Sequence, residues 1–156
     1  MISKDYDSED ILKLDNQLCF RLYSVSRKMT KTYQPYLNKY NLTYPQYIIM
    51  LVVFEKKVID FKELSEKVNL RTGTLTPILK KLEQLGYINR VTNQEDKRKL
   101  DVILSEKGEV LKEHIVEVPI GLAKDLQVSL DMYHTLVEQL DALDKKLDEV
   151  IDAYEK

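Results

Sequence analysis

The 156-residue sequence has one cysteine, Cys19, and only two histidines, His114 and His134. A disulfide within the chain needs two cysteines and therefore cannot form. A zinc site built from several cysteine or histidine ligands is not expected either, so we predict a protein without a metal or cofactor. Glycine and proline are also scarce, with four of each, which leaves little room for long loops and favours helices.

Long apolar runs are missing as well. No segment approaches the roughly 20 apolar residues that span a bilayer. The polar residues 1–10 do not have the apolar core of a signal peptide. Hydrophobic residues make up 44% of the chain and charged residues 32%, which is typical of a globular protein with a hydrophobic core. Together these features predict a cytoplasmic protein.

Residues 72–86 have the pattern of an amphipathic helix. Its apolar positions recur at steps of three and four residues, at Leu75, Ile78, Leu79, Leu82 and Leu85. Thr72 or Thr74 can cap the start, Pro77 is acceptable in a first turn, and Gly86 is a typical stop. The opposite face carries groups of the kinds that contact phosphates and base edges: Thr74, Thr76, Lys80, Lys81 and Gln84.

A β-hairpin is predicted directly after this helix. Residues 87–91 and 100–104 suit two strands by residue type and rough alternation. The polar residues between them, 92–99, form a tip that contains Lys97, Arg98 and Lys99.

A short helix over residues 61–68 and a turn over residues 69–71 precede the amphipathic helix. Two short helices followed by a basic hairpin describe a winged helix-turn-helix. The predicted fold class is therefore mainly α with a small β-hairpin wing.

Positive charge is concentrated in this region. Residues 71–99 contain seven basic and three acidic residues, a net charge of +4, whereas the whole chain carries −2. The pattern by itself is equally typical of a solvated helix and an ordinary exposed hairpin. The order of the elements favours double-stranded DNA as the partner.

Four further helices are expected. The first covers residues 11–38, with Pro35 bending or dividing it, and its apolar face carries Leu14, Leu18, Leu22, Val25 and Met29. The second covers residues 45–55, with Thr43 as its cap. Its largely buried positions are expected to be Tyr47, Ile48, Met50, Leu51, Val53 and Phe54.

The third runs from a Ser105 cap to about Val118, where Pro119 and Gly121 break or kink it. The last, over residues 129–156, has an apolar stripe that suits packing on the N-terminal helix of a partner chain or of its own.

Three segments follow from this pattern. Residues 1–40 are predicted to form an N-terminal dimerisation helix that carries Cys19. Residues 41–104 form the winged helix-turn-helix, and residues 105–156 form C-terminal dimerisation helices. Terminal helices around a central winged helix fit a two-fold dimer that reads two DNA half-sites.

The chain resembles the MarR family of bacterial transcriptional regulators, and most of all its one-cysteine OhrR-type organic-hydroperoxide sensors. The resemblance is carried by Leu14–Phe20 with Tyr23, by Leu42–Tyr47, by Thr72–Glu83, and by Asp96-Lys97-Arg98. These sensors usually have an acidic residue where this chain has Arg71, so no operator sequence is carried over.

The resemblance implies a homodimer whose recognition helix lies in a major groove and whose wing enters a minor groove. It implies that Arg98 enters the minor groove, steadied by Asp96, and that Arg90 contacts the DNA backbone. The residues implied at the major groove are Thr72, Thr74, Thr76, Pro77, Lys80 and Lys81.

Cys19 has two interpretations. A lone cysteine is more often a small buried hydrophobe than a sensor. Tyr23, four residues later on the same helix, is near enough to supply a hydroxyl that favours the thiolate. The resemblance adds Tyr33 and Tyr44, which it implies reach the cysteine across the dimer interface. It thus implies a repressor that releases DNA when organic hydroperoxide, with a low-molecular-weight thiol, oxidises Cys19.

Three alternatives stay open. A MarR-type regulator could answer a small aromatic ligand, with Cys19 structural. A thiol peroxidase could use Cys19 with Arg21 or Arg27 nearby, although no resolving cysteine is present. A helical interaction module without DNA binding would leave the basic hairpin tip unexplained. Our prediction is that the protein is not an enzyme.

Overall fold

The computed structural model describes residues 8–154. It forms two compact units, one up to Val118 and one from Pro119 onward. The first unit contains a helix-turn-helix followed by a β-hairpin, packed on further helices. The predicted fold class, mainly α with a small β-hairpin wing, is confirmed. Residues 1–7 of the predicted N-terminal segment and residues 155–156 of the predicted C-terminal segment lie outside the described residues.

The N-terminal helix is shorter than its apolar pattern predicted. A short helix α1, Ser8–Ile11, and a 3-10 turn, Leu14–Asn16, precede helix α2, Leu18–Leu37. Leu14 lies in the 3-10 turn and is therefore not on the apolar face of α2. A continuous helix is replaced here by side-chain hydrogen bonds to the backbone. For example, the Asn16 side-chain amide donates to the backbone carbonyl of residue 10 at 2.8 Å. Pro35 lies near the end of α2 and does not divide it.

Helix α3, Tyr44–Lys56, begins directly after Thr43, which is its N-cap as predicted. The Gln46 side chain folds back and accepts a hydrogen bond from the Thr43 backbone N–H at 2.8 Å. The helix is buried on most sides, including Ile49 and Met50 at 0% exposure. The prediction that Leu51 is buried is wrong, since it is 44% exposed and shares the outer stripe with Glu55.

Strand β1, Val58–Asp60, leads into helix α4, Phe61–Lys67. One Asp60 carboxylate oxygen accepts hydrogen bonds from the backbone N–H groups of Lys62 and Glu63 at 2.8 and 3.3 Å. Asp60 is therefore both the last residue of β1 and the N-cap of α4.

Helix α5, Thr72–Gln84, is the predicted recognition helix, but its N-cap is Arg71 rather than Thr72 or Thr74. The Arg71 carbonyl already accepts from the N–H groups of Thr74 and Leu75 at 2.9 and 3.0 Å, so the helix starts at Thr72, earlier than a threonine cap would place it. Pro77 consequently sits in the second turn, where it removes one helical hydrogen bond.

Helix α5 ends just before Gly86, the residue that the sequence predicted as its stop. Gly86 has φ of 79°, the left-handed region that glycine adopts without strain. Its N–H donates to the Glu83 carbonyl at 2.9 Å, and the Tyr87 N–H donates to the Leu82 carbonyl at 3.1 Å. These paired bonds form a Schellman motif that turns the chain directly into the hairpin.

The hairpin consists of β2, Ile88–Thr92, and β3, Leu100–Leu104. Strand β1 also pairs antiparallel with β3, so the sheet has the order β1-β3-β2 and places Val102 opposite both Ile59 and Arg90. Val102 and Ile88 are buried at 0% and 1%, so the sheet contributes one face to the core.

An ion pair links α5 to β2. The Arg90 guanidinium donates to Glu83 Oε2 through Nη2 at 2.6 Å and through Nε at 3.0 Å, and its backbone N–H donates to Oε1 at 3.1 Å. These hydrogen bonds hold the pKa of Glu83 below its ordinary value.

Helix α6, Glu106–Ile115, is capped by Ser105, whose hydroxyl accepts from the Gly108 N–H at 3.0 Å. It ends three residues before the predicted Val118. The helical chain is interrupted at Val116, so the predicted break is present but lies earlier, and Pro119 and Gly121 themselves lie inside the next helix, α7, Glu117–Leu126. Pro119 is the third residue of α7, where the backbone N–H has no helical partner to lose.

The second unit contains the rest of α7 and the long helix α8, Leu130–Tyr154, as the periodicity predicted. Ser129 caps α8 by accepting from the Met132 N–H at 3.2 Å. None of the α8 residues is buried, although its apolar stripe includes Leu140 and Leu147. This helix therefore has an apolar face that its own unit does not cover.

We expect Gly108→Ala to lower the free energy of unfolding by about 2 kcal/mol or more. An added Cβ would overlap the Tyr87 carbonyl oxygen, just before β2, and Leu104 Cδ1, at the end of β3. Urea denaturation at fixed protein concentration measures the change. Gly73→Ala is the matched control, because a Cβ there meets nothing within 4 Å. Equal denaturation midpoints for the two variants would contradict the packing described here.

We expect Glu83→Gln to lower the free energy of unfolding at pH 7 by at most about 1 kcal/mol, because both partners retain contact with solvent. The native pKa of Glu83 is lowered, so its contribution is present above the unfolded pKa of about 4.3 and is lost as the pH falls through the native pKa. Melting curves should separate at pH 7 and converge as the pH falls below the native pKa of Glu83. Glu95→Gln, a wing carboxylate without an ion pair in the described structure, is the control.

Candidate DNA-binding surface and cysteine site

The outer face of α5 is an exposed polar surface. Its inner face is fixed to the core, since Leu75, Leu79 and Leu82 are each 0% exposed. The Thr76 hydroxyl donates to the Thr72 carbonyl at 2.8 Å, which leaves its lone pairs available to a ligand. The predicted major-groove residues are all exposed on this one helix: Thr72, Thr74, Thr76, Pro77, Lys80 and Lys81.

The wing tip is organised by one side chain, Asn93. Its amide oxygen accepts from the backbone N–H groups of Glu95 and Asp96 at 2.9 and 3.0 Å, and its amide donates to Asp101 Oδ2 at 2.7 Å. The Asn93 N–H also donates to the Lys99 carbonyl at 3.0 Å. These bonds make the tip a defined turn rather than an open loop.

Arg98 and Asp96 are in direct contact, as the resemblance implied. Arg98 Nε and its backbone N–H donate to Asp96 Oδ1 at 3.0 and 3.1 Å, and Nη2 donates to Oδ2 at 3.2 Å. These bonds lower the pKa of Asp96 and raise that of Arg98. The Arg98 side chain remains 90% exposed, so it is oriented without being covered.

Arg90 is placed differently from the other predicted DNA contacts. Its side chain is only 24% exposed and is held by Glu83 between α5 and β2. This geometry gives Arg90 a structural role in addition to any contact with DNA.

Cys19 is a free, exposed thiol on the second residue of α2. Tyr23 lies one turn further along the helix and is 56% exposed. Arg27 Nη1 donates to the Tyr23 hydroxyl at 2.8 Å, and the guanidinium carbon lies 5.5 Å from the ring centroid. Since Arg27 occupies a lone pair of the phenol, the Tyr23 O–H proton stays free for another acceptor.

Tyr33 and Tyr44 are brought together, but not beside Cys19 of the same chain. Their ring centroids are 4.9 Å apart, and Tyr47 completes the cluster at 5.7 and 6.5 Å. Burial raises the pKa of Tyr33 and of Tyr47, with a smaller effect from neighbouring tyrosines. Cys19 is 14 residues from Tyr33 on the same helix, a rise of about 21 Å. This tyrosine cluster can therefore meet a cysteine only from a second chain.

A cleft of about 580 Å³ lies beside the tyrosine cluster, between α2 and the first turn of α3. Three of its lining residues are cationic, Arg27, Lys28 and Lys31, and Tyr44 forms part of its wall. A small anion or an aromatic acid would suit this lining.

Two kinds of feature are absent from residues 8–154. No group of three or more His, Cys, Asp or Glu side chains converges as a metal site requires. No helix in that range has both the length and the apolar content to cross a membrane.

Sequence reasoning missed three residues of these sites. Tyr47 follows Tyr44 by three residues, and Asn93 precedes a run of turn residues, so both carried a local signal. Glu83 has no such signal for pairing with Arg90, because the pair depends on the turn at Gly86.

Comparison with known proteins agrees with this geometry. The family model of SarA/Rot transcriptional regulators matches residues 31–115, more than half of the chain. The organic hydroperoxide resistance transcriptional regulator of Bacillus subtilis is 45% identical over 138 residues, covering 84% of this chain and 94% of its own. The regulator SarZ of Staphylococcus haemolyticus is 39% identical, covering 81% and 86% of the two chains.

Among solved structures, reduced AbfR bound to DNA superposes with a TM-score of 0.81 at 30% identity, covering 93% of this chain and 99% of that one. AbfR is a protein of Staphylococcus epidermidis. These relatives are transcriptional regulators rather than enzymes. The chain therefore belongs to the MarR family of DNA-binding transcriptional regulators, in its OhrR-type group.

Proposed function

We propose that this protein is a homodimeric repressor that binds operator DNA and releases it when an organic hydroperoxide oxidises Cys19. The observation that carries the DNA-binding part is the exposed polar face of α5 beside a wing whose Arg98 is oriented by Asp96. The sensing part is supported by the exposed free thiol of Cys19 next to Tyr23.

The DNA-binding surface suits both grooves. An α-helix fits a major groove, where threonine hydroxyls and lysines such as Lys80 meet phosphates and base edges. Arg98 projects from a narrow turn, a shape that suits the minor groove. Reduced AbfR, which shares this fold, has been solved bound to DNA.

A second copy of the chain is the partner that the exposed apolar surface favours. On α2 the exposed side chains Leu18, Leu22, Val25 and Met29 recur at helical spacing, with exposures from 36% to 60%. Helix α8 carries its own uncovered apolar stripe. Burying such surface in a symmetric dimer would remove it from water. It would also give Cys19 of one chain access to Tyr33 and Tyr44 of the other.

The chemistry requires one oxidant and one thiol. The Cys19 thiolate attacks the peroxide, an S–O bond forms as the O–O bond breaks, and the leaving alkoxide takes up a proton to become an alcohol. A low-molecular-weight thiol then displaces water from the sulfenic acid and leaves a mixed disulfide. Tyrosine hydroxyls that donate to the sulfur favour the thiolate at the start of this sequence.

Oxidation is proposed to act through bulk and lost hydrogen bonds. A thiol-capped Cys19 no longer fits against the tyrosines, so the dimer interface shifts and the spacing of the two recognition helices changes. AbfR has been solved overoxidised on DNA and with a disulfide formed. Mixed disulfide and overoxidised Cys19 are therefore tested separately below.

The cationic cleft between α2 and α3 favours a second candidate function. A small aromatic acid bound by Arg27 and Lys31 against Tyr44 could shift the same dimer. Cys19 would then not be the sensor, and its substitution would leave the response to that acid intact.

We expect Arg98→Ala to weaken binding to the DNA upstream of the protein's own gene about tenfold or more, because a groove-inserted cation is lost. Asp96→Asn should have a smaller effect, since the cation remains but its orientation is loosened. Fluorescence anisotropy of labelled DNA measures both. Glu95→Gln, in the same turn, is the control. An Arg98→Ala affinity equal to that of Glu95→Gln would argue against a wing contact.

We expect one equivalent of organic hydroperoxide with a small thiol to release DNA from the wild type but not from Cys19→Ser. Mass spectrometry should find one thiol adduct per wild-type chain and none on the variant. Excess hydroperoxide without thiol gives the overoxidised form for comparison. Release from Cys19→Ser as well would show that the cysteine is not the sensor, and binding that ignores oxidant would favour the small-acid response.

A further inference from the structure

The cleft between α2 and the first turn of α3 has an unbalanced charge. Its lining contains three cations, Arg27, Lys28 and Lys31, and no carboxylate. Within residues 8–154 none of the three forms an ion pair with another side chain. Like charges one helical turn apart repel each other, so a bound anion would stabilise this arrangement.

Two features place this positive charge close to the sulfur of Cys19. Tyr44 forms part of the cleft wall and also belongs to the tyrosine cluster, beside which the proposed function places Cys19 of a second chain. Within one chain, Arg27 reaches back along α2 toward Cys19, because its Nη1 donates to the hydroxyl of Tyr23, one turn from the cysteine. A group attached to the Cys19 sulfur would therefore have a cation nearby in either chain.

The proposed mechanism attaches one group to this sulfur. After the hydroperoxide has oxidised Cys19 to a sulfenic acid, the sulfur of a small thiol bonds to the Cys19 sulfur and the S–OH bond breaks. The leaving hydroxide takes up the proton of the thiol and becomes water. A thiol that also carries a carboxylate would be attracted to the cationic cleft, whereas a neutral thiol would not.

We propose that the cleft lined by Arg27, Lys28 and Lys31 binds the carboxylate of the thiol that caps Cys19. The cleft thereby selects carboxylate-bearing thiols over neutral ones in the capping step. This inference rests on the proposed function and names the class of thiol that acts in it.

The test compares two thiols that differ in one group, N-acetylcysteine with its carboxylate and N-acetylcysteine amide without it. Cys19 is first oxidised with one equivalent of cumene hydroperoxide. Capping is then followed by intact mass spectrometry, with dimedone added at intervals to label the sulfenic acid that has not yet reacted. We expect the ratio of the two capping rates, acid over amide, to be about tenfold higher in the wild type than in the double variant Lys28→Gln/Lys31→Gln.

Charge reversal separates an electrostatic effect from a structural one. In Lys28→Glu/Lys31→Glu the ratio of acid to amide rates should fall below that of the double glutamine variant, because two carboxylates repel the acid. Damaged packing would slow both thiols alike and leave the ratio unchanged. Lys145→Gln/Lys146→Gln is the control, since it removes the same charge from α8, which does not line the cleft. Its ratio should equal that of the wild type.

The proposal fails if all of these proteins show one ratio while the sulfenic acid still forms and DNA is still released. The proposed function then stands, and only the selection of the thiol is lost. If no sulfenic acid forms on Cys19, or if Cys19→Ser also releases DNA, both proposals fail. Release of DNA from the reduced protein by benzoate alone would assign the cleft to an effector acid and would overturn its role in capping.

Discussion

Burial of one face of α5 is the constraint on which the rest of the molecule depends. Leu75, Leu79 and Leu82 are fully buried, and losing any one side chain of this kind typically costs about 2–5 kcal/mol. Because these residues follow a helical period, burying them fixes the rotation of the helix about its axis. This rotation places Lys80 and Lys81 on the exposed side of the helix, so their position does not depend on contacts made by the lysines themselves. The outer face is thus free of folding requirements and can vary with the DNA to be recognised.

The wing is positioned by contacts that continue from the same helix. The Schellman turn at Gly86 starts β2 immediately after α5, and the Glu83–Arg90 ion pair joins the two elements beyond the turn. Strand β3 lies between β1 and β2, so the hairpin is held by pairing on both sides of Val102. The distance between the recognition surface and Arg98 is consequently set by backbone hydrogen bonds together with this ion pair.

The sequence predicted those parts of the structure that depend on local pattern. The periodicity of α5 and the Ser105 cap both identified elements that the structure contains. The errors occur where packing against neighbouring elements, rather than local sequence pattern, determines the structure. Leu51 faces outward because α3 is buried on its other sides. The break predicted at Pro119 and Gly121 lies at Val116 instead, because Pro119 has no helical hydrogen bond to lose in the first turn of α7. The roles proposed for Tyr33 and Tyr44 came from resemblance, since no pattern within one chain relates either tyrosine to Cys19, which lies about 21 Å from Tyr33 along α2.

Two acidic residues of the DNA-binding region, Glu83 and Asp96, indicate that a fixed geometry matters there as well as charge attraction. Glu83 and Asp96 each reduce the positive charge of the region, which by itself weakens binding to phosphates. Each also binds an arginine through at least two hydrogen bonds. A freely rotating arginine must lose side-chain entropy on binding, whereas one already oriented has less to lose. The carboxylates therefore exchange part of the non-specific attraction for a fixed arrangement of cations, and under the proposed function we expect this to raise the ratio of operator binding to non-specific binding.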